Sequence, residues 1–167
     1  PARDDAPQYV QANNVAELPF DSRLPTDPDL RARDVAVDPP SGWAEGDAVT
    51  VSWTTENAGT GPAAGGWVER VTIRNLQSGA VAARADVAVE ADAPLAAGAS
   101  VARSSEFAWS GGRDAAGGFA VVVEIDRLNQ VAETAAGVDA EANNLAEADV
   151  VSAPDLVVEG LSVRSEE

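Results

Sequence analysis

The sequence contains no cysteine, no methionine and no histidine. Their absence excludes disulfides, thiolate and imidazole metal ligation, and any catalysis that runs through Cys or His. Lysine is missing too. All eleven basic residues are Arg, set against 28 Asp and Glu, for a net charge of −17 and a pI near 4.1. A chain this acidic repels nucleic acid and anionic lipid, so neither is expected as a partner. No apolar run approaches the roughly 18 residues of a membrane span. No segment pairs a charged start with an apolar stretch, so if the protein is secreted its export signal is expected outside this sequence. Excess carboxylate suits a hard cation such as Ca²⁺, or a high-salt or extracellular setting; on composition alone, plain solubility is the favoured account.

Alternating stretches dominate what is present. Leu30 to Val37 reads as a strand with a register shift near Arg33 and Asp34. Ala48 to Thr55, Trp67 to Ile73, Val81 to Val89, Ser100 to Trp109, Phe119 to Ile125 and Asn144 to Val151 follow as strands. Gly, Pro, Asn and Asp separate them at turn-like intervals, as in Asn57-Ala-Gly-Thr-Gly-Pro62 and Asn75 to Gly79. No stretch supports a helix of three turns. The expected fold is all-β: an immunoglobulin- or fibronectin-like antiparallel β-sandwich of about seven strands. Trp53 and Trp67 are expected in its core, Trp43 on an exposed loop, and Glu69 at the wet end of its strand. Arg70 is expected to pin that strand to a loop carboxylate. In the Asn57–Gly61 loop, Asn and Gly suit positive φ and side-chain bonds to backbone. Asp126 and Asn129 suit an Asx-type turn.

One string occurs twice. Gln11-Ala-Asn-Asn14 returns as Glu141-Ala-Asn-Asn144, and Pro28-Asp-Leu30 returns as Pro154-Asp-Leu156. The offsets are 130 and 126 residues. The apolar residues Leu30, Ala32, Val35 and Val37 fall on Leu156, Val158, Leu161 and Val163. Such a pattern marks a window of a tandem array. It divides the chain into residues 1–27 (the tail of a preceding repeat and a linker), 28–151 (one repeat) and 152–167 (the first strand of the next repeat, or a strand donated to a neighbouring subunit). Asn143, Asn144, Pro154, Asp155 and Leu156 then form the joint between modules.

Three stretches, with the Pro-Asp-Leu opening, carry a family likeness. They are Trp53-Thr-Thr-Glu-Asn-Ala-Gly-Thr-Gly61, Trp67-Val-Glu-Arg-Val71, and Asp126-Arg-Leu-Asn-Gln-Val-Ala-Glu133 leading to Asn143-Asn144. Over residues 28–151 the chain resembles CARDB, the cell-adhesion-related domain found in bacteria. The resemblance implies a sandwich module repeated in large prokaryotic surface proteins, without enzymatic activity. The segment from Glu133 to Asn143 is longer than that family usually has.

The candidate sites follow. Asp126, Asn129, Glu133, Asp139, Glu141 and Asn143 place hard oxygen ligands within eighteen positions, and Ca²⁺ takes six to eight oxygens from such loops. The spacing is not that of an EF-hand, and a solvated acidic loop is the plainer alternative. A glycan- or protein-binding surface is a second reading, carried by Trp43, Trp109, Asp114 and the Gly-rich loop at 110–118. Catalysis by the Glu133 and Asp139 carboxylates is not expected, because nothing fixes their separation. The partners expected are neighbouring identical or similar modules, in a protein at the cell surface or outside a prokaryotic cell.

Overall fold

In the computed structural model, which describes residues 26–112, 115–133 and 140–152, the alternating stretches become seven strands. They are β1 (Leu30–Asp38), β2 (Ala48–Asn57), β3 (Val68–Asn75), β4 (Val81–Ala88), β5 (Ser100–Ala108), β6 (Gly117–Glu124) and β7 (Leu145–Ser152). A short 3-10 turn, Ala140–Asn143, precedes β7. One sheet has the order β1-β2-β5 and the other β4-β3-β6-β7, with every neighbouring pair antiparallel. This is the sandwich that the alternation and turn spacing predict.

The inner faces follow the sequence period. Val49, Val51, Trp53 and Thr55 of β2 are buried, and so are Val71 and Ile73 of β3. Phe119, Val121 and Val123 of β6, with Ile125 beyond it, close the other side. Each large apolar side chain removed from water contributes roughly 1.5–3 kcal/mol, which is what holds the sheets together. The expected register shift in β1 lies between Arg33 and Ala36, with Asp34 at a φ of 53°. A second shift, between Ile73 and Arg74 of β3, was not legible. It inserts an extra residue in β4 and leaves Val81, the first residue of that strand, facing solvent.

Glu69 is the main departure from expectation. It is not at a wet end but fully buried, on the same inward face as Val71 and Ile73. Its Oε2 accepts the Trp53 indole N–H at 2.6 Å. Its Oε1 accepts the Trp67 indole N–H and the Thr55 hydroxyl, each at 3.0 Å. The Arg103 guanidinium of β5 approaches to 3.0 Å as an ion pair, although its Nε hydrogen is not directed at the carboxylate. A buried carboxylate is tolerated only when paired and hydrogen-bonded, and this one is. The arrangement also gives both indoles a partner inside an apolar layer. Arg70, pointing the other way, forks onto Asp86 at 2.6 and 2.7 Å. Asp86 is its cross-strand neighbour on β4, not a loop carboxylate. That hydrogen bond holds the Asp86 carboxyl below its usual range, but both groups are solvated and contribute little to stability.

The Asn57 loop works differently from the positive-φ turn expected. Gly59 and Gly61 have ordinary backbone angles. Glycine is needed there because a Cβ on Gly61 would lie 2.1 Å from the Thr26 carbonyl oxygen, and one on Gly59 would lie 2.3 Å from that of Asp27. Asn57 is the last residue of β2 and makes the expected side-chain bonds to backbone. Its Oδ1 accepts the Asp29 and Gly59 amides, and its Nδ2 donates to the Gly61 and Leu95 carbonyls.

Strand direction fixes where the chain enters and leaves the sandwich. β1 and β7 lie in different sheets and run the same way. At one pole the segment before β1 meets the turn before β7, where Asn143 donates to Asp29 at 2.8 Å. At the other, Ser41 and Val151 form a parallel bridge, and the Ser152 hydroxyl accepts the Trp43 amide at 3.0 Å. Ser152, expected in the following module, therefore closes β7. The Ser152 pole is plugged by Trp43, Trp109 and Phe119, with ring centroids 4.7–5.7 Å apart. Trp43 is buried rather than exposed, because its indole N–H donates back to the Pro39 carbonyl at 2.7 Å and folds the loop over the core.

Replacing Glu69 with Ala leaves two indole N–H groups and a hydroxyl unpaired in the core, and is expected to cost about 3–5 kcal/mol. Glu69→Gln keeps one acceptor oxygen and should cost less. Urea unfolding of both variants checks this ordering; a loss under about 1 kcal/mol for the Ala variant would count against a central role.

Candidate functional site

The Leu30 pole carries the polar side chains that a core does not need. Asp29 precedes β1 and is 8% exposed. One of its carboxylate oxygens pairs with Arg31 and the other accepts from Asn143. Asn144 follows the 3-10 turn, and its backbone carbonyl accepts the Ile125 amide at 2.7 Å, which ties the turn to the end of β6. Its side-chain Nδ2 donates to Glu141 at 3.0 Å. Glu124, Asp126, Asn129, Glu141 and Asn144 line a cavity of about 260 Å³ at this pole.

Within this region the expected cation-loop residues separate. Asp126 is fully buried, and its two oxygens accept the Gln130 and Val131 amides at 2.9 and 2.7 Å. That is the Asx-type turn read from the sequence, with Asp126 and Asn129 both at positive φ. A carboxylate bound to two backbone amides serves the loop, so Asp126 is ill placed as a metal ligand. Asn129 is exposed on the rim of the cavity. Glu133 and Glu141 lie beside Asn144 near the start of β1, where Asn143 donates to Asp29. Asp139 lies outside the described residues, as do Pro154, Asp155 and Leu156 of the joint, and with Asp139 goes the carboxylate pair weighed for catalysis. Asp29 was missed as a site residue. The signal that could have found it is the duplicated Pro-Asp-Leu, whose Asp in the first copy contacts Asn143 of the duplicated Asn pair.

The aromatic surface weighed for glycan binding is not formed by its two tryptophans. Trp43 is 3% exposed and Trp109 is 2% exposed, so neither presents a ring face to stack on a sugar. Asp114 lies outside the described residues.

Glu133 is the unusual group. It is 7% exposed, and neither carboxyl oxygen has a hydrogen-bond partner. Burial pushes its carboxyl up from 4.5 to about 7, and the charges of Glu141 and Asp29 push the same way. The Leu30 amide and the Asn144 side chain lie near enough to oppose the shift, but neither closes to hydrogen-bond geometry. Among the described residues, no three His, Cys, Asp or Glu side chains converge closely enough to hold a metal ion by themselves. No helix there is long and apolar enough to cross a membrane.

No family model matches the chain, and no curated protein matches it. Solved structures do. The CARDB domain of the PF1109 protein from Pyrococcus furiosus, in its solution NMR structure, is 18% identical, with a TM-score of 0.54 over 77% of this chain and 97% of that one. The crystal structure of the same domain, described as a complex with di-metal ions, is 19% identical, with a TM-score of 0.48 over 81% and 99%. The alkylpurine DNA glycosylase AlkC of Pseudomonas fluorescens matches over 75% of this chain but 30% of its own, at 17% identity and a TM-score of 0.50. The chain therefore has a CARDB-like fold, an all-β sandwich of three- and four-stranded sheets.

The Glu133 shift predicts a pH dependence in metal-free buffer. The folded chain holds this proton up to about pH 7, whereas the unfolded chain releases it near 4.5. Stability from the buried neutral acid is thus present below the lower value and lost as pH rises to the higher one. The loss is on the order of 2 kcal/mol once solvent screening is allowed for. Glu133→Gln should match the parent near about pH 4 and exceed it by that amount at about pH 8. Urea unfolding in the presence of a chelator measures the gap; a gap that does not change with pH would sink the assignment.

Proposed function

We propose that this chain is a non-catalytic structural module of an extracellular or cell-surface prokaryotic protein, joined end to end with like modules. The observation that supports it is the common direction of β1 and β7, with Asp29 at one pole and Ser152 at the other. A sandwich entered at one pole and left at the opposite one adds its whole length to a chain of modules. Its entry and exit would lie side by side in a hairpin arrangement, and the array would gain little. Strands of eight to ten residues, at about 3.3 Å per residue, give each module roughly 30 Å plus its joint. The duplicated Asn-Asn and Pro-Asp-Leu strings supply the repeat that such an array requires. Thirteen residues separate the pair from the triplet at the first joint and nine at the second, so the two joints differ in reach.

The work of the module in this reading is spacing and adhesion: it carries other parts of the protein away from the cell. The fold supports that role by offering a rigid core and two distinct ends. Ca²⁺ is the cofactor assigned to the acidic Leu30 pole, and neighbouring modules are the partners.

A two-module polypeptide, made by following residue 153 with residues 28–167 again, tests the reading by small-angle X-ray scattering. Its maximum dimension should exceed that of the single chain by about one module length, roughly 30 Å. Two modules folded side by side, with little gain in length, would overturn it.

A further inference from the structure

Buried polar side-chain atoms without hydrogen-bond partners concentrate at the Leu30 pole of this protein. Among the described residues, six buried side-chain nitrogen or oxygen atoms lack a hydrogen-bond partner. Two are the Nε atoms of Arg31 and Arg103. The other four, and all the oxygens, are Oε1 and Oε2 of Glu133, Oδ1 of Asn143 and Oδ1 of Asn144. Native structures rarely leave such atoms unsatisfied, so the cluster points to an occupant.

The amide orientations are fixed by chemistry. Asn143 faces the Asp29 carboxylate and Asn144 faces that of Glu141. An ionised carboxylate only accepts, so each amide must turn its NH₂ there and its oxygen elsewhere. The occupant must therefore satisfy acceptors alone. A proton on Glu133 serves one oxygen and leaves the rest. A cation serves them together, and the surroundings favour one. Asp29 and Glu141 both bear on Glu133 through their charge, and the nearby Arg31 pairs with Asp29 through one Nη. Glu133 and Asn144, at 7% and 4% exposed, are too buried for water to neutralise that charge cheaply.

We propose that Glu133, with the amide oxygens of Asn143 and Asn144, binds a hard divalent cation of the Ca²⁺ class, and that Asp29 and Glu141 supply the surrounding negative charge. No three carboxylates suffice here, so amide oxygens and water complete the shell. A mixed and irregular set of oxygens suits Ca²⁺, which accepts six to eight ligands in flexible geometry, better than Mg²⁺, which demands a regular octahedron. The bound ion joins two segments, the residues after β6 and the turn before β7, with Asp29 before β1 alongside them. This inference rests on the assignment of Ca²⁺ to the Leu30 pole and names its ligands; it does not depend on the end-to-end linkage, since a lone chain would bind the ion.

The test is calorimetric titration of Ca²⁺ into the chelator-treated full chain at pH 8, with thermal unfolding at constant ionic strength. One ion per chain is expected, with a rise in midpoint of about 5–10 °C at saturating Ca²⁺ and little rise with Mg²⁺. Glu133→Gln should abolish the binding heat, and Asn143→Ala should weaken affinity at least about tenfold, which keeps the test decisive if the first variant does not fold. Asp92→Asn, an exposed acid on the β4–β5 loop, should bind as the parent does. Absence of heat and of any midpoint shift in the parent overturns the proposal. So does an equal Ca²⁺ response in the parent and both site variants, which identifies general screening of an acidic chain. An equal rise with Mg²⁺ overturns the Ca²⁺-class assignment.

Discussion

The structure depends on one carboxylate buried between the two sheets. Glu69 belongs to β3, yet it accepts from Trp53 and Thr55 of β2 and from Trp67 just before its own strand, with Arg103 of β5 alongside. Apolar contact between the sheets is strong but does not fix direction; it tolerates sliding as long as volume is filled. A carboxylate with three donors does not. Shifting either sheet by one residue would strand the indole N–H groups and the charge together. The aliphatic layer supplies most of the favourable free energy, and Glu69 selects which of the possible packings is adopted.

Much of this fold is legible in the sequence because its strands alternate so cleanly. The period of two placed Val49, Val51 and Trp53 inward, and likewise Phe119, Val121, Val123 and Ile125. It placed Glu69 inward as well, on the face of Trp67, Val71 and Ile73. Chemical expectation then moved it to a wet end, because a lone carboxylate costs too much to bury. Its three donors are scattered from residue 53 to residue 67, and only the folded sandwich brings them together. Trp43 was misjudged for a related reason: between Pro39 and Gly46 it looks like a loop residue, and the bond that turns it inward is to a backbone carbonyl that any sequence would offer. At the candidate site, the Asx turn of Asp126 was local and therefore readable, whereas the meeting of Asp29 with Asn143 spans 114 residues.

The two poles are chemically opposite. At the Ser152 pole three aromatic rings pack edge to face and exclude water. At the Leu30 pole the buried Asn57, Asp29, Asn144 and Glu133, with a half-buried Asn143 beside them, replace apolar filling with polar groups. Asn57 meets all four of its bonding requirements. The neighbouring amides and Glu133 do not, and that difference separates a side chain that only stabilises a loop from a group left open to respond to its surroundings.

The common direction of β1 and β7 has a mechanical side. A pull applied at residue 28 and residue 152 draws β1 and β7 in opposite senses along their own axes. Their hydrogen bonds to β2 and β6 lie across that line, so the ladders are loaded in shear and must yield many bonds at once. A hairpin pulled from its open end would peel bond by bond. The Ser152 tie to Trp43 and the Asn143 tie to Asp29 sit where the load enters each strand. Resistance to tension is thus set by which way two edge strands point, and a sandwich of identical composition with β7 reversed would part far more easily.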